Sequence, residues 1–225
     1  MAQHDPHVAK GAPGAEGEDS LLVVSPGRLE AFSDGVIAIA ITLLSLEIKL
    51  PEEHDGLLRA LLSLWPDYIG FLLSFLLVGQ VWLNHHAVFH HLRRVSQAVL
   101  VWNLLLLMDI AFLPFATKVL TTCLETGRDA AVGSVFYGGA MFVGGLCFNA
   151  LWRTAMSDRS SIKPGVPDEE IRAMTRRFQR GPVLYLVACG VGALNIWLAV
   201  ATYAALIAYY MVDSRTGVKR LLHRS

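Results

Sequence analysis

Apolar positions in this chain gather into long runs separated by short charged clusters, and the run lengths predict helices that cross a membrane. Residues 28–48, RLEAFSDGVIAIAITLLSLEI, open with Arg28, carry Glu30 and Asp34 in the first turns, and hold twelve uncharged residues, Gly35 to Leu46, before Glu47. Ser25 followed by Pro26 supplies an N-cap with proline at the first helical position, so a first helix is expected to begin there and to end before Pro51. Tyr68 to Asn84 is clear of charge and extends back through Trp65, Pro66 and Asp67 to about Leu57. Val95 to Met108 continues past Asp109 to Thr117, and Ala130 to Trp152 is clear for 23 residues. These runs predict helices two, three and four.

The last run, Gly181 to Val212, has 32 residues without a charge. As one straight helix it would be roughly 48 Å long against a hydrocarbon core of about 30 Å, too long for one span and short for two. Basic residues decide between these readings, because Lys and Arg collect at the cytoplasmic ends of spans. Segment 84–97 holds two, Arg93 and Arg94, segment 153–181 holds seven and 213–225 holds four, whereas 47–60 and 118–129 hold two each. If 84–97 and 153–181 are cytoplasmic, the basic tail joins them only when an even number of spans lies between. Two short helices broken near Asn195 satisfy that parity. The expected fold class is therefore an all-α membrane protein of six transmembrane helices over residues 25–212, multi-pass in the cell membrane with both termini cytoplasmic. A tail, 1–24, precedes it, and a basic cytoplasmic tail, 213–225, follows.

Composition agrees with this class. The chain has 225 residues, 54% hydrophobic and 17% charged, too apolar for an ordinary soluble domain. Its formal net charge is zero, so nothing invites nucleic acid. The first 24 residues, rich in Gly, Ala, Pro and acid, lack a basic region followed by a long apolar stretch, and a disordered tail is expected in place of a cleaved signal peptide. Cys123, Cys147 and Cys189 are isolated beside apolar runs without metal-like spacing and are expected to pack. Ala140 with Gly144, and Ala188 with Gly192, suit close helix packing in lipid. The string RLEAFSDG occurs once, and no internal repeat is evident.

The contents of the first helix are unusual for a lipid-facing span. On a helical period Gly35, Ile39, Thr42 and Leu46 form one stripe, alternately small, bulky, hydroxyl-bearing and bulky, while Arg28, Phe32, Ser33 and Asp34 occupy the cytoplasmic third. By spacing alone the same residues fit an ordinary packed helix whose Ser33 and Asp34 cap or bond locally.

Arg28, three residues, then Phe32-Ser33-Asp34, continuing as GVIAIAITLLSLEI, resembles the signature of the transmembrane protein 175 family of potassium channels. Trp82, Asn84, His85 and His86 at the end of the second helix resemble that family's tryptophan-and-histidine segment. The resemblance implies a homotetramer of six-helix chains around one pore lined by the first helix, without a backbone-carbonyl filter loop. The chain indeed has no TVGYG-like string. It further implies that Ile39 forms a hydrophobic constriction, that Thr42 offers a ring of hydroxyl oxygens to a partly dehydrated cation, and that Leu46 forms a second apolar ring. Arg28, Ser33 and Asp34 are implied to build a hydrogen-bonded network with His85 and Asn103, with Trp82 as a packing partner. Such shielding by protein would explain how a helix carrying charge sits at membrane depth. The expected partners are copies of the same chain, the lipid bilayer and monovalent cations, with permeating K+ and no cofactor.

Two features point elsewhere. HHAVFHH places His86 and His90 one helical turn apart, a spacing that could share a metal, although histidine-rich membrane oxygenases need several such clusters and this chain has one. Asp109 is an intramembrane carboxylate, which a proton-coupled carrier would require. The alternative to a channel is thus a proton- or metal-linked carrier or membrane enzyme built on the same bundle.

Overall fold

The structure, a computed structural model, describes residues 24–51 and 56–222, with side chains described through Met211. The Ser25 hydroxyl accepts the Arg28 amide at 3.4 Å, and Pro26 follows where its missing N–H costs nothing, so α1 spans Pro26–Leu46. The second expected helix is divided: a short α2 (Leu57–Ser63) precedes α3 (Trp65–His90). Pro66 stands in the first turn of α3, a position that starts a helix but does not continue one. α4 (Gln97–Thr126) runs past the expected Thr117 and closes on Gly127, whose φ of 68° is the left-handed conformation that ends helices. Lys118 does not interrupt it, because its ammonium reaches the Asp67 carboxylate at 3.1 Å and the Glu47 carbonyl at 3.5 Å.

α5 covers Ala130–Ser157, a 3-10 turn Arg159–Ser161, α6 Asp168–Leu194 and α7 Ile196–Leu222. The break falls on Asn195, which is extended, and its side-chain carbonyl accepts the amides of Trp197 at 2.8 Å and Leu198 at 3.2 Å. Asn195 is an N-cap as well as a breaker. Both flanking helices are longer than the charge-free run: α6 starts at Asp168, and α7 stays helical beyond Val212, so no helix ends at the expected boundary with the basic tail. Of the expected tail 1–24, only Val24 lies within the described residues. The fold is all-helical, and α1, α3, α4 and α5 are long and apolar enough to cross a membrane. α7 carries a shorter apolar stretch, Ile196–Met211.

Successive long helices alternate in direction. The start of α1 meets the end of α3 through His86 and Glu30 (2.6 Å) and through Trp82 and Asp34 (2.9 Å). The α3–α4 and α5–α6 connections pair at that end, where Arg93 donates its amide to the Ser161 carbonyl and Lys163 donates to that of His91. Arg177 of α6 reaches the Tyr210 carbonyl of α7 at 3.2 Å near the same end. At the opposite end Trp65 stacks on Trp197 at 5.5 Å, close to the Lys118–Asp67 pair. The basic segments 84–97 and 153–181 therefore share one end, together with the start of α1 and the later turns of α7. The core lies where α4 and α5 pack on each other, with α1 and α3 against α4, and α6 and α7 against α5.

Candidate functional site

α1 buries one narrow face. Leu29, Ser33, Ile37, Ala40 and Leu44 point into the bundle against α3 and α4. Ser33 is the polar member of that face, so its hydroxyl must find partners. It donates to the Leu29 carbonyl at 2.8 Å and accepts from Asn103 Nδ2 at 2.9 Å, while Asn103 Oδ1 lies 2.8 Å from His85 Nε2. With the amide so oriented, His85 carries its proton on Nε2, and the chain of donors runs in one direction: His85 to Asn103 to Ser33 to Leu29. All three side chains are completely buried, and Phe89 stacks on the His85 ring at 4.5 Å.

Asp34 leaves the buried face by one position and is held differently. Trp82 donates its indole N–H to Asp34 Oδ1 at 2.9 Å, so the tryptophan is a hydrogen-bond donor as well as a packing partner. Glu30, unassigned from the sequence, accepts from His86 Nδ1 at 2.6 Å and ties the same two helices one turn lower. Arg28 does not join the network: its side chain is exposed and, among the described residues, makes no hydrogen bond or ion pair. The reason is its register. Arg28, Phe32, Gly35, Ile39, Thr42 and Leu46 follow each other at alternating steps of four and three residues and share one face.

That face is open in the single chain. Ile39 is 61% exposed, Leu46 66% and Phe32 52%, and Thr42 lies between the first two. Thr42 donates its hydroxyl proton to the Ile39 carbonyl at 2.8 Å, and Ser45 donates to the Thr42 carbonyl at 2.8 Å. The Thr42 oxygen thus keeps its lone pairs for whatever approaches from outside. The helix is thus anchored by buried polar groups on one side and leaves an apolar, hydroxyl, apolar sequence open on the other.

Asp109 lies elsewhere. It lines a partly open cavity of about 70 Å³ among α3 to α7, with Gln80, Met141 and Tyr185, and no residue of α1 lines it. Gly144 of α5 fits directly over its carboxylate, where a Cβ would collide with Oδ2. A Cβ on Gly192 would likewise collide with Ser134 Oγ, so both small residues mark close helix approaches. The histidines are parted too: His85 faces Asn103, His86 faces Glu30, and His91 bonds the Ala87 carbonyl at 2.6 Å and Glu170 at 3.2 Å. Among the described residues no three His, Cys, Asp or Glu side chains gather as a metal would need. Cys147 is buried, and Cys123 and Cys189 are half-buried against α5.

A bundle of long apolar helices, one of which keeps a face open while buried polar groups anchor it from behind, defines the class of polytopic membrane proteins. Comparison with known proteins gives the family. The model of the endosomal/lysosomal potassium channel TMEM175 family matches residues 28–114. A potassium channel of Chamaesiphon minutus is 41% identical over 84% of this chain and 94% of its own length. One of Streptomyces collinus is 39% identical over 82% of this chain and 90% of its own. The chain belongs to the TMEM175 family, whose members are ion channels and not enzymes. The rat protein, named an endosomal/lysosomal proton channel, is 32% identical over 64% of this chain, which spans about a third of it (31%). The crystal structure of a lysosomal potassium-selective TMEM175 homologue from Chamaesiphon minutus superposes with a TM-score of 0.76 at 42% identity, covering 84% of this chain and 97% of that one.

Proposed function

We propose that this chain is a potassium-conducting channel subunit of the cell membrane, in which four copies bring their α1 helices around one axis and K+ passes between them. The observation that carries this reading is the exposed register of α1: Gly35, Ile39, Thr42 and Leu46 face outward while Ser33 is bound inside the chain's own bundle. Bacterial relatives matched over nearly their whole length, and named potassium channels, support the permeant ion. On this reading six helices, α1 and α3 to α7, cross the bilayer with both termini cytoplasmic. α6 crosses with its second half, since its first half carries Arg172, Arg176, Arg177 and Arg180.

Four copies turn each modest side chain into a ring. Ile39 forms the constriction, because an ion stripped of water finds no oxygens there. The Thr42 ring one turn further out supplies hydroxyl oxygens whose protons are already committed to backbone. Leu46 forms a second apolar ring. Arg28 and Phe32, on the same face, lie at the entrance on the basic end.

Planar-bilayer current under potassium and sodium gradients tests the assignment. Ile39→Ala should widen and wet the constriction, raising conductance and admitting larger cations. Ile39→Asn should raise conductance at nearly unchanged width by lowering the dehydration barrier. Thr42→Ala should reduce discrimination between potassium and sodium while leaving the apolar constriction intact. If neither Ile39 substitution alters conductance while Asp109→Asn abolishes flux, transport runs through the interior of each chain, and a carrier replaces the channel.

A further inference from the structure

The outward face of α6 holds a charge pattern that the pore leaves unused. Arg172, Arg176 and Arg180 stand one helical turn apart on it, all exposed, and Gln179, Val183, Val187 and Leu194 continue the same face toward the opposite end. Arg176, Gln179, Arg180, Val183 and Leu184 line a surface groove of about 360 Å³. Like charges spaced four residues apart destabilise a helix unless something neutralises them. Nearby acids do not. Asp168 pairs with Arg159, Glu170 with His91, Glu169 stands about two turns before Arg176, and no acidic residue occurs from Ile171 through Val212. Among the described residues, Arg176 and Arg180 make no hydrogen bond or ion pair.

We propose that this groove binds the headgroup of an anionic phospholipid, with Arg176 and Arg180 on its phosphate and its acyl chains along Val183 and Val187. Three arguments select a lipid as the occupant. Two guanidiniums side by side match a phosphodiester in charge and hydrogen-bonding geometry. The face changes from cationic to apolar along its length, as the depth of a leaflet does, with the arginines at the end shared by the basic connections. α6 packs on α5 and α7 whereas α1 packs on α3 and α4, so an assembly with α1 at its axis turns this face to the membrane. That last step rests on the channel reading.

Native mass spectrometry of the delipidated full chain, titrated with phosphatidylglycerol or phosphatidylcholine, tests the site. Wild type should take up phosphatidylglycerol at concentrations roughly tenfold to thirtyfold lower than R176Q/R180Q does, since each arginine at the surface of an anionic membrane contributes about a factor of five. R176K/R180K should lose only part of this, which separates loss of charge from misfolding. Arg128→Gln, at the opposite end, should leave uptake unchanged. V183N/V187N should weaken lipid uptake, and inorganic phosphate at equal concentration should not compete. Equal uptake of both lipids, unchanged uptake by R176Q/R180Q, or full competition by phosphate would overturn the proposal. Potassium flux of wild type in neutral-lipid vesicles is recorded beside it. Flux without lipid preference removes the lipid site and leaves the channel, and lipid preference without flux does the reverse.

Discussion

Asn103 joins three helices through one side chain. Its amide donates to Ser33 of α1 and accepts from His85 of α3 from its own place in α4, and all three groups are out of reach of water. A buried donor stripped of its partner costs roughly 1–3 kcal/mol. Asn103→Leu should therefore destabilise the chain by about that much for each group it strands, read as a lower unfolding temperature in detergent. Trp82→Phe, which removes only the half-exposed bond to Asp34, should cost about 0.5–1.5 kcal/mol. Asp158 offers a pH test outside the helices. Hydrogen bonds from the Ser160 hydroxyl, the Ser160 amide and the Ser161 hydroxyl hold its carboxyl below the usual carboxylate range. A depressed folded-state pKa stabilises above the unfolded value and is lost as pH falls through the folded one. Amides of the Arg159–Ser161 turn should thus lose hydrogen-exchange protection, corrected for intrinsic rates, as pH falls below about 4. Asp158→Asn should show no such acid-dependent step.

At the scale of single helices, α6 shows how a proline is accommodated within a helix. Pro182 has no N–H for the Phe178 carbonyl four residues back. Asn149 of α5 supplies the missing donor, its Nδ2 lying 2.6 Å from that carbonyl. Phe178 in turn packs edge-on against Phe148 and Trp152, so α6 and its neighbour are fixed by one polar tie within an aromatic cluster. Asn149→Leu should cost about 1–3 kcal/mol by orphaning the carbonyl. Restoring the backbone donor with Pro182→Ala in the same chain should recover most of it. A double-mutant cycle on thermal stability measures the coupling, and additive losses would show that the tie is not the reason Asn149 sits there.

For the whole molecule, the proposed channel needs more than one copy of the chain. α1 stands at the flank of the bundle with half of its surface turned outward, and the chain carries no second repeat that would close around it. On the channel reading, copies of the same chain cover that face. Native mass in mild detergent and in lipid should correspond to four chains of 24.7 kDa, and Ile39→Cys should form interchain disulfides on mild oxidation. Arg28→Gln should weaken assembly without lowering the stability of the separated chain, because its exposed side chain has no partner there among the described residues. A monomeric mass in lipid with full potassium flux would refute the four-fold pore.

Much of this was legible in the sequence because hydropathy and charge act locally. Ser25-Pro26 set the start of α1, Asn195 set the break between α6 and α7, and the loop arginines put segments 84–97 and 153–181 at one end, where the two connections pair. The stripe of Gly35, Ile39, Thr42 and Leu46 followed from helical period alone. What the sequence left open depended on neighbours distant in the chain. Lys118 reads as a helix end until Asp67 and the Glu47 carbonyl neutralise it, 51 and 71 residues away. Asn149 reads as one polar residue in an apolar run until Pro182 leaves a carbonyl unsatisfied on the adjoining helix. Trp82 becomes a donor only when α3 brings it to Asp34, and Arg28 drops out of the network because the register that buries Ser33 turns Arg28 outward. Periodicity fixes which residues share a face. Which face is buried, and what meets it, is decided only when helices far apart in sequence pack and every buried polar group must find a partner.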